Sequence, residues 1–278
     1  MRSTTPARLA AALATACAML ALSACSGGGT AASSSSSAGI LTSGTLTVGS
    51  DLTYPPYAYL DGKNPAGFDP DVARALAKQA GLGATFVDTR FEELIAGLNA
   101  GRFDVIASDL YITDERAKQV DFIPYFTTGN SLLAAAGGAF QPKTTDDLCG
   151  KAVGVIKGGQ IVQDLRGDAS TACKAKGAKA VDVREFTTDP EATQALLSGQ
   201  VDAQLTDAAV AKTIVTKTQG KLAVTSTQII YPVTSGLAVK KGNTKLKATL
   251  VAALSALEKS GDYGKLLNQY GLTEAAKS

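Results

Sequence analysis

The chain has 278 residues, 19% of them charged, and a formal net charge of +2. This near-neutral balance, without a basic amphipathic stretch, excludes nucleic acid as an expected partner. The sequence contains no histidine, which excludes histidine-ligated metals, a Ser-His-Asp triad and a histidine general base. We expect no metal and no other cofactor.

Residues 1–24 are typical of a secretory signal peptide. Arg2 and Arg8 precede an apolar stretch, Leu9 to Leu22, that is too short to span a bilayer as a mature helix. The stretch ends in Leu22-Ser23-Ala24-Cys25, which resembles the lipobox at which bacterial lipoproteins are cleaved and lipidated on the cysteine. We therefore expect lipid on Cys25; the alternative is cleavage elsewhere, which would leave Cys25 incidental.

The next segment, residues 25–39, predicts a flexible tether. It contains Gly27 to Gly29 and Ser33 to Ser37, and almost nothing in it can be buried. The mature protein would then be exported and anchored to the cell membrane, facing the periplasm or the extracellular side.

From residue 40 onward, short apolar or β-branched runs alternate with helical patterns. The predicted strands are Leu46–Val48, Thr85–Val87 and Val105–Ala107, and the predicted helices are residues 70–80, ending at Gly81, residues 91–100, and one whose body begins at Ala117. This alternation predicts an α/β fold with largely parallel sheets. The remaining chain is long enough for one large core or for two lobes.

A short pattern occurs twice in the chain. Gly101-Arg102-Phe103-Asp104 leads to Ser108-Asp109, and Gly199-Gln200-Val201-Asp202 leads to Thr206-Asp207. The match could be chance; otherwise it indicates two lobes of similar architecture. Each copy places an aspartate where a strand ends and a helix begins, which is where ligands bind in open α/β sheets. Two such edges facing each other would form a cleft.

Two of the four cysteines are left to pair in the mature protein. Cys17 leaves with the signal peptide and Cys25 would carry lipid, so Cys149 and Cys173 remain. In an oxidising compartment we expect them to form a disulfide, the alternative being two buried free thiols. Two cysteines without histidine cannot supply the four ligands of a structural zinc site.

Several ordered motifs carry a resemblance to a known family. They are G-S-D-L-T-Y-P-P-Y at 49–57, G-F-D-P-D-V-A-R-A-L-A at 67–77, L-N-A-G-R-F-D-V-I-A-S at 98–108, I-T-D-E-R-A-K-Q-V-D-F-I-P-Y at 112–125 and G-Q-V-D-A-Q-L-T-D at 199–207. With these motifs, nearly all of residues 45–272 resembles the bacterial extracellular solute-binding proteins of ABC importers, in the polar amino-acid group called family 3.

The resemblance implies a two-lobed α/β fold of the type II periplasmic-binding-protein kind. Lobe 1 would comprise residues 40–127 and 236–278, and lobe 2 would comprise residues 131–230. Extended crossings at Thr127–Ser131 and Tyr231–Ser235 would be the hinges. The lobes would close over a ligand, and the closed form would dock on a membrane permease.

The resemblance also implies two charged residues that hold the ends of an α-amino acid. Arg116 matches the arginine whose fork holds the α-carboxylate; the alternative is a surface ion pair with Asp114 or Glu115. Asp207 matches the carboxylate that receives the α-ammonium, and it could also, or instead, cap the helix that follows it.

Aromatic residues would enclose the rest of the ligand. Tyr54 and Phe91 match positions whose rings sandwich its aliphatic part, and Tyr57 lies nearby in the sequence. Phe91 could instead be a core residue. Asp51 matches a position near the ligand side chain, or it is an ordinary turn residue at a strand end.

The sequence departs from the family's pattern at three places. Gly159 and Gln160 stand where the family has Gly-Thr and binds the carboxylate through backbone, and the amides of this glycine-rich turn could still cradle an anion. After Ser108, which we also expect at the ligand, Asp109 replaces the usual Gly or Ser. Tyr111 replaces the usual Thr or Ser. Asp109 favours a cationic ligand such as lysine, arginine or ornithine, whereas the bulk of Tyr111 favours a smaller one.

The function that this resemblance implies is extracellular binding of a polar amino acid and its delivery to an ABC permease. We expect a monomer that is not an enzyme, with the amino acid, the permease and a membrane tether as its partners. The alternatives are an enzyme of the cyclohexadienyl dehydratase kind on the same fold and a ligand-sensing input protein.

Overall fold

The structure, a computed structural model, describes residues 39–275. The signal peptide, Cys25 and most of the tether lie outside the described residues, so the predictions made for them stay predictions. Within the described part of the chain, no helix is long and apolar enough to cross a membrane.

Strands of one ten-stranded sheet form the framework of the molecule. The strands of this sheet and of a small three-stranded sheet are β1 Thr45–Ser50, β2 Thr53–Tyr54, β3 Ala58–Asp61, β4 Asn64–Ala66, β5 Gly83–Asp88, β6 Val105–Ile106, β7 Val120–Ala135, β8 Ala152–Ile156, β9 Asp182–Phe186, β10 Ala203–Asp207, β11 Leu222–Val224, β12 Ile230–Lys240 and β13 Thr273–Glu274. The small sheet consists of β2, β3 and β4.

Nine α-helices occur in residues 39–275 and pack on this framework. They are α1 Phe68–Gln79, α2 Leu94–Asn99, α3 Asp114–Ala117, α4 Gln160–Asp164, α5 Ser170–Ala175, α6 Asp189–Leu197, α7 Ala208–Lys217, α8 Thr244–Ser260 and α9 Asp262–Tyr270. The two long helices at the C-terminal end, α8 and α9, contact each other and α1.

The strand order β5-β1-β6-β12-β7-β10-β8-β9 explains the two-lobed architecture. The strands β5, β1 and β6 are parallel to one another, and so are β10, β8 and β9. Between these sets run β7 and β12, which pair antiparallel along most of their length. The fold is therefore the predicted two-lobed type II α/β fold, but its sheet is mixed, because the two central strands cross between the parallel sets.

Most predicted elements lie where the sequence pattern places them. The helix predicted to end at Gly81 is α1, and Gly81 has a φ of +69°, which glycine adopts without strain. The helix predicted at 91–100 begins with a 3-10 turn at Phe91–Glu93 and continues as α2. The crossings predicted to be extended are parts of β7 and β12.

The prediction of a helix that extends from Ala117 is wrong. The chain makes only the single turn α3, and β7 begins at Val120. Val120 pairs with Lys240 of β12, and Pro124, which could not continue a helix, lies in the same strand opposite Gly236. Tertiary strand pairing therefore decides the conformation of this segment.

Cys149 and Cys173 are joined by a disulfide, as the sequence predicts. Cys173 is buried in a cluster of apolar side chains between α5 and the strands β8 and β10. The bridge links residues 24 positions apart and fixes the start of β8 to α5.

Candidate functional site

A small cavity of about 20 Å³ lies where the two halves of the sheet meet, room for about one water molecule. The residues that line it are Tyr54, Phe91, Asp109, Tyr111, Arg116, Ile156, Gly159, Gln160 and Ile161. All but the two isoleucines are predicted site residues. A wider groove of about 610 Å³ adjoins it and shares Arg116, Gly159 and Gln160.

Arg116 occupies the wall of this cavity with only 8% of its surface exposed. Its guanidinium donates to the carbonyl oxygens of Tyr111, at 2.9 Å, and Gly158, at 3.0 Å, and lies 5.6 Å from the centre of the Phe91 ring. Glu115, offered as an alternative partner, pairs with Lys118 instead. Burial lowers the pKa of Arg116 to about 10, so the side chain stays charged at neutral pH. Arginine carries five N–H donors, so the two carbonyls do not exhaust its capacity for a carboxylate.

Arg116 is held in place by the local sequence. Thr113 is the residue before α3, and its hydroxyl accepts a hydrogen bond from the Arg116 backbone N–H at 3.2 Å. Asp114 and Glu115 follow in the first turn, where the helix dipole favours negative charge. These acids therefore stabilise the turn that carries Arg116.

Asp207 is buried behind the cavity, at the junction of β10 and α7. Its carboxylate accepts hydrogen bonds from the hydroxyls of Tyr57, at 2.8 Å, Thr128, at 2.6 Å, and Tyr111, at 3.1 Å. It also accepts from the backbone N–H of Ala209 at 2.8 Å, so the predicted helix cap is present. Burial raises the pKa of Asp207, while these donors favour its charged form. The Tyr111 phenol, which lines the cavity, bonds directly to this carboxylate.

Asp109 lines the cavity and is held by contacts on both its backbone and its side chain. Its φ of 45° is in the left-handed region, which non-glycine residues seldom adopt. Its N–H donates to the Asp69 carboxylate at 2.9 Å, and its own carboxylate accepts from the Ser235 hydroxyl. Burial, together with the nearby charge of Asp207, raises the pKa of Asp109. The carboxyl groups of Asp109 and Asp207 therefore lie close together on one side of the cavity.

Three further predicted site residues lie, like Asp207, behind the cavity wall. Asp51 forms an ion pair with Arg90 at 3.0 Å and accepts a hydrogen bond from the backbone N–H of Phe91 at 2.9 Å. Ser108 accepts from the N–H of Asp51 at 3.0 Å, and Tyr57 reaches Asp207 as described. Arg90 also pairs with Asp88, so one guanidinium serves two carboxylates, and Asp51 is held by groups of the protein itself and does not line the cavity.

The remaining wall is formed by aromatic side chains and the turn before α4. Tyr54 places its ring against the cavity and its hydroxyl 3.0 Å from the hydroxyl of Thr206. Gly159 donates its N–H to the Ile156 carbonyl at 3.3 Å, and Gln160 bonds to Asp164 at 2.9 Å. In this structure the Gly159 amide is therefore bound within its own turn.

Ile156 and Ile161 also line the cavity, although nothing in the sequence predicts them there. Ile156 ends the buried strand β8, and Ile161 belongs to the apolar cluster around the disulfide. Apolar residues in such runs are usually core residues, and only the folded chain shows that these two lie against the cavity. They give this side of the site an apolar surface.

Asp69, next to the site, should make the stability of the folded protein depend on pH. It is buried at the start of α1, where it accepts hydrogen bonds from the Tyr125 hydroxyl and the Asp109 N–H. Burial raises its pKa from 3.8 to about 7. Between these values the folded protein keeps a proton that the unfolded chain has lost. This retained proton stabilises the folded protein. Its full contribution is present below about pH 4 and is lost as the pH rises through about 7.

We expect the free energy of unfolding to decrease from about pH 4 to about pH 7, with Asp69 contributing on the order of 4 kcal/mol. Urea unfolding at a series of pH values measures this slope. The variant Asp69→Asn should make it shallower, whereas Asp71→Asn, on the partly exposed face of the same helix, should not. A slope that is the same in the wild type and Asp69→Asn would refute this origin.

The fold and this constellation define a two-lobed binding protein with a buried, charged cleft. The chain belongs to the bacterial extracellular solute-binding proteins, family 3, whose family model matches residues 46–273. It is 37% identical over 221 residues to the L-cystine-binding protein TcyJ of Escherichia coli (strain K12), covering 78% of this chain and 79% of that protein.

Solved structures agree with this assignment. An ancestral arginine-binding protein bound to arginine is 36% identical, with a TM-score of 0.74, and the match covers 82% of this chain and 98% of that one. The ancestral amino acid-binding protein AncCDT-1, a precursor of cyclohexadienyl dehydratase, is 32% identical with a TM-score of 0.68, over 82% of this chain and 95% of that one. The family's members are exported proteins that bind solutes outside the cell.

Proposed function

We propose that the protein binds a free α-amino acid in its cleft and delivers it to the permease of an ABC importer. The observation that carries this proposal is the pair of opposite charges around one cavity, Arg116 in the wall and Asp207 directly behind the Tyr111 phenol. A carboxylate and an ammonium group on one ligand carbon would meet complementary charge at both ends. The similarity to cystine-binding and arginine-binding proteins supports the same class of ligand.

The cleft would open and close between lobes with the predicted boundaries, residues 40–127 with 236–278 and residues 131–230. The two crossings between them lie within β7 and β12. The pairing of these strands is irregular between Ile230 and Val233, and Tyr231 has a φ of 48°. Hinge motion needs only a few residues that change their backbone angles, and this segment is where we place it.

Asp109 supports a cationic amino acid such as lysine, arginine or ornithine. Its carboxylate lines the cavity beside the charge of Asp207, and an additional positive charge on the ligand would offset the repulsion between the two. L-Cystine is the second candidate, because of the similarity to TcyJ. Tyr111 and Asp51 favour neither candidate over the other.

A thermal-shift screen of the amino acids, including L-cystine, tests the proposal. A ligand that binds only the folded state raises the melting temperature as its concentration exceeds its Kd. Competition among arginine, lysine, cystine, glutamine and glutamate then separates the ligand classes. Preference for arginine or lysine supports the cationic proposal, preference for cystine supports the second candidate, and preference for glutamine or glutamate excludes both. If no amino acid raises the melting temperature, the function itself is wrong.

We also propose a lipid anchor at Cys25 and a monomeric state, on the grounds given by the sequence. A dehydratase activity is the alternative that the similarity to AncCDT-1 favours. Incubation with prephenate or arogenate, followed by absorbance, would detect it. Turnover that depends on the cleft residues would replace the transport proposal by an enzymatic one.

A further inference from the structure

A chain of buried hydrogen bonds runs from Asp189 to the wall of the cavity. Asp189 is the first residue of α6 and only 2% exposed. Its carboxylate accepts from the Thr206 hydroxyl at 2.8 Å and from the Gln204 side-chain amide at 3.1 Å. The Thr206 hydroxyl also lies 3.0 Å from the hydroxyl of Tyr54, which accepts the backbone N–H of Asp207 at 3.3 Å.

The number of protons fixes the direction of these bonds. An ionised carboxylate can only accept, so the single proton of the Thr206 hydroxyl is directed at Asp189. Thr206 therefore accepts from Tyr54, and the Tyr54 proton is directed away from the cavity. Burial raises the pKa of Asp189 to about 6, which leaves it mainly ionised at neutral pH and above. Each donor in the chain then has a defined acceptor.

We propose that Asp189 is a positioning residue for ligand binding, which fixes the ring of Tyr54 as a wall of the cavity through the hydroxyl of Thr206. This inference rests on the proposed function. Tyr54 belongs to β2, whereas Thr206 and Asp189 lie in the part of the chain predicted to be the other lobe, so the bonds also hold the cleft closed. Asp189 and Thr206 do not line the cavity, and they reach a ligand only through Tyr54.

A purely structural role for Asp189 would be different. Its bond to Gln204 ties α6 to β10, and losing that tie would lower stability without passing through Tyr54. If Asp189 acts through Tyr54, replacing Asp189 should no longer change ligand affinity once the Tyr54 hydroxyl has been removed. If its role is only structural, the change in affinity should persist. Additivity fails only for groups that act on each other.

The experiment measures affinity for L-arginine and L-cystine by calorimetry at neutral pH. Thr206→Val and Asp189→Ala should each weaken binding by about threefold to tenfold, the value of one buried hydrogen bond. Thr206→Ser keeps the hydroxyl and Asp189→Asn keeps an acceptor oxygen, so both should stay close to the wild type. In a Tyr54→Phe background, Thr206→Val and Asp189→Ala should cause no further loss. The same loss in that background would overturn the proposal.

A failure of this inference can be distinguished from a failure of the proposed function. If the wild type binds neither probe, the ligand assignment fails, and the same variants are compared by urea unfolding of the ligand-free protein. Non-additive effects of Tyr54→Phe and Thr206→Val on the free energy of unfolding then support the chain of bonds, and additive effects overturn it. If Asp189→Ala does not fold, the pair Thr206→Val and Thr206→Ser decides alone.

Discussion

The variant Arg116→Ala should lose about 2–5 kcal/mol of affinity for the amino-acid ligand, on the order of a 30-fold to a thousand-fold or greater increase in Kd. The guanidinium is buried in the cavity wall, so removing it would leave the ligand carboxylate desolvated and unpaired. Arg116→Lys should also weaken binding, because a point charge cannot reproduce the planar fork. Calorimetric titration with the preferred amino acid measures both effects.

Arg102→Ala is the matched control for this experiment. Arg102 is half exposed and forms a long ion pair, 3.8 Å, with Glu93 at the surface. Its removal should leave affinity unchanged, since exposed ion pairs contribute little. Wild-type affinity in a folded Arg116→Ala protein would show that the carboxylate is held elsewhere.

The second large effect is expected for Asp207→Asn, which should also cost about 2–5 kcal/mol of affinity. The amide keeps the shape and one acceptor but removes the negative charge that would face the ligand ammonium. It also cannot satisfy all the donors that converge on this carboxylate, among them Tyr57 and Thr128. We therefore expect a loss of stability as well, because hydroxyl donors that meet the amide NH2 instead of a carboxylate oxygen are left unsatisfied in the protein interior.

Affinity and stability must be separated for Asp207→Asn. Circular dichroism and urea unfolding report whether the variant is folded at the temperature of the titration. Asp202→Asn, at the exposed start of the same segment, is the matched control and should bind like the wild type. A folded Asp207→Asn protein that binds with unchanged affinity would assign this residue to helix capping only.

Much of the fold could be predicted because local pattern and family motifs agree. The helix α1 and its terminal glycine Gly81 depend on residues adjacent in sequence. The failed helix at Ala117 shows the limit of such patterns. The strand β7 is specified by pairing with β12, more than a hundred residues away in the chain, and no local signal contains that partner.

Seven of the nine residues that line the cavity are among the predicted site residues, but their electrostatics could not be predicted from the sequence. The sequence suggests Asp51 as a carboxylate near the ligand side chain, yet it lies behind the cavity wall in an ion pair with Arg90. Asp109 is expected to favour a cationic ligand, and its carboxylate already accepts a hydrogen bond from Ser235. These contacts join residues far apart in sequence, and they depend on which groups the fold removes from water.

The role proposed for Asp189 also depends on contacts between residues that are far apart in the sequence. In the sequence Asp189 is the first residue of a helix, directly after Thr188, and the helix dipole that favours acids in the first turn is a sufficient local reason for an acid there. Its link to Tyr54 through Thr206 becomes visible only when β10 and β2 are brought together. A residue with a complete local explanation gives no sign of a second role.

A crystal structure of the protein grown with the amino acid that stabilises it most would show the ligand and its contacts directly. We predict the ligand in the cavity between the lobes, its α-carboxylate against the guanidinium of Arg116 and its α-ammonium on the side of Asp207 and Asp109. A ligand in the opposite orientation, or one bound away from Arg116, would contradict it.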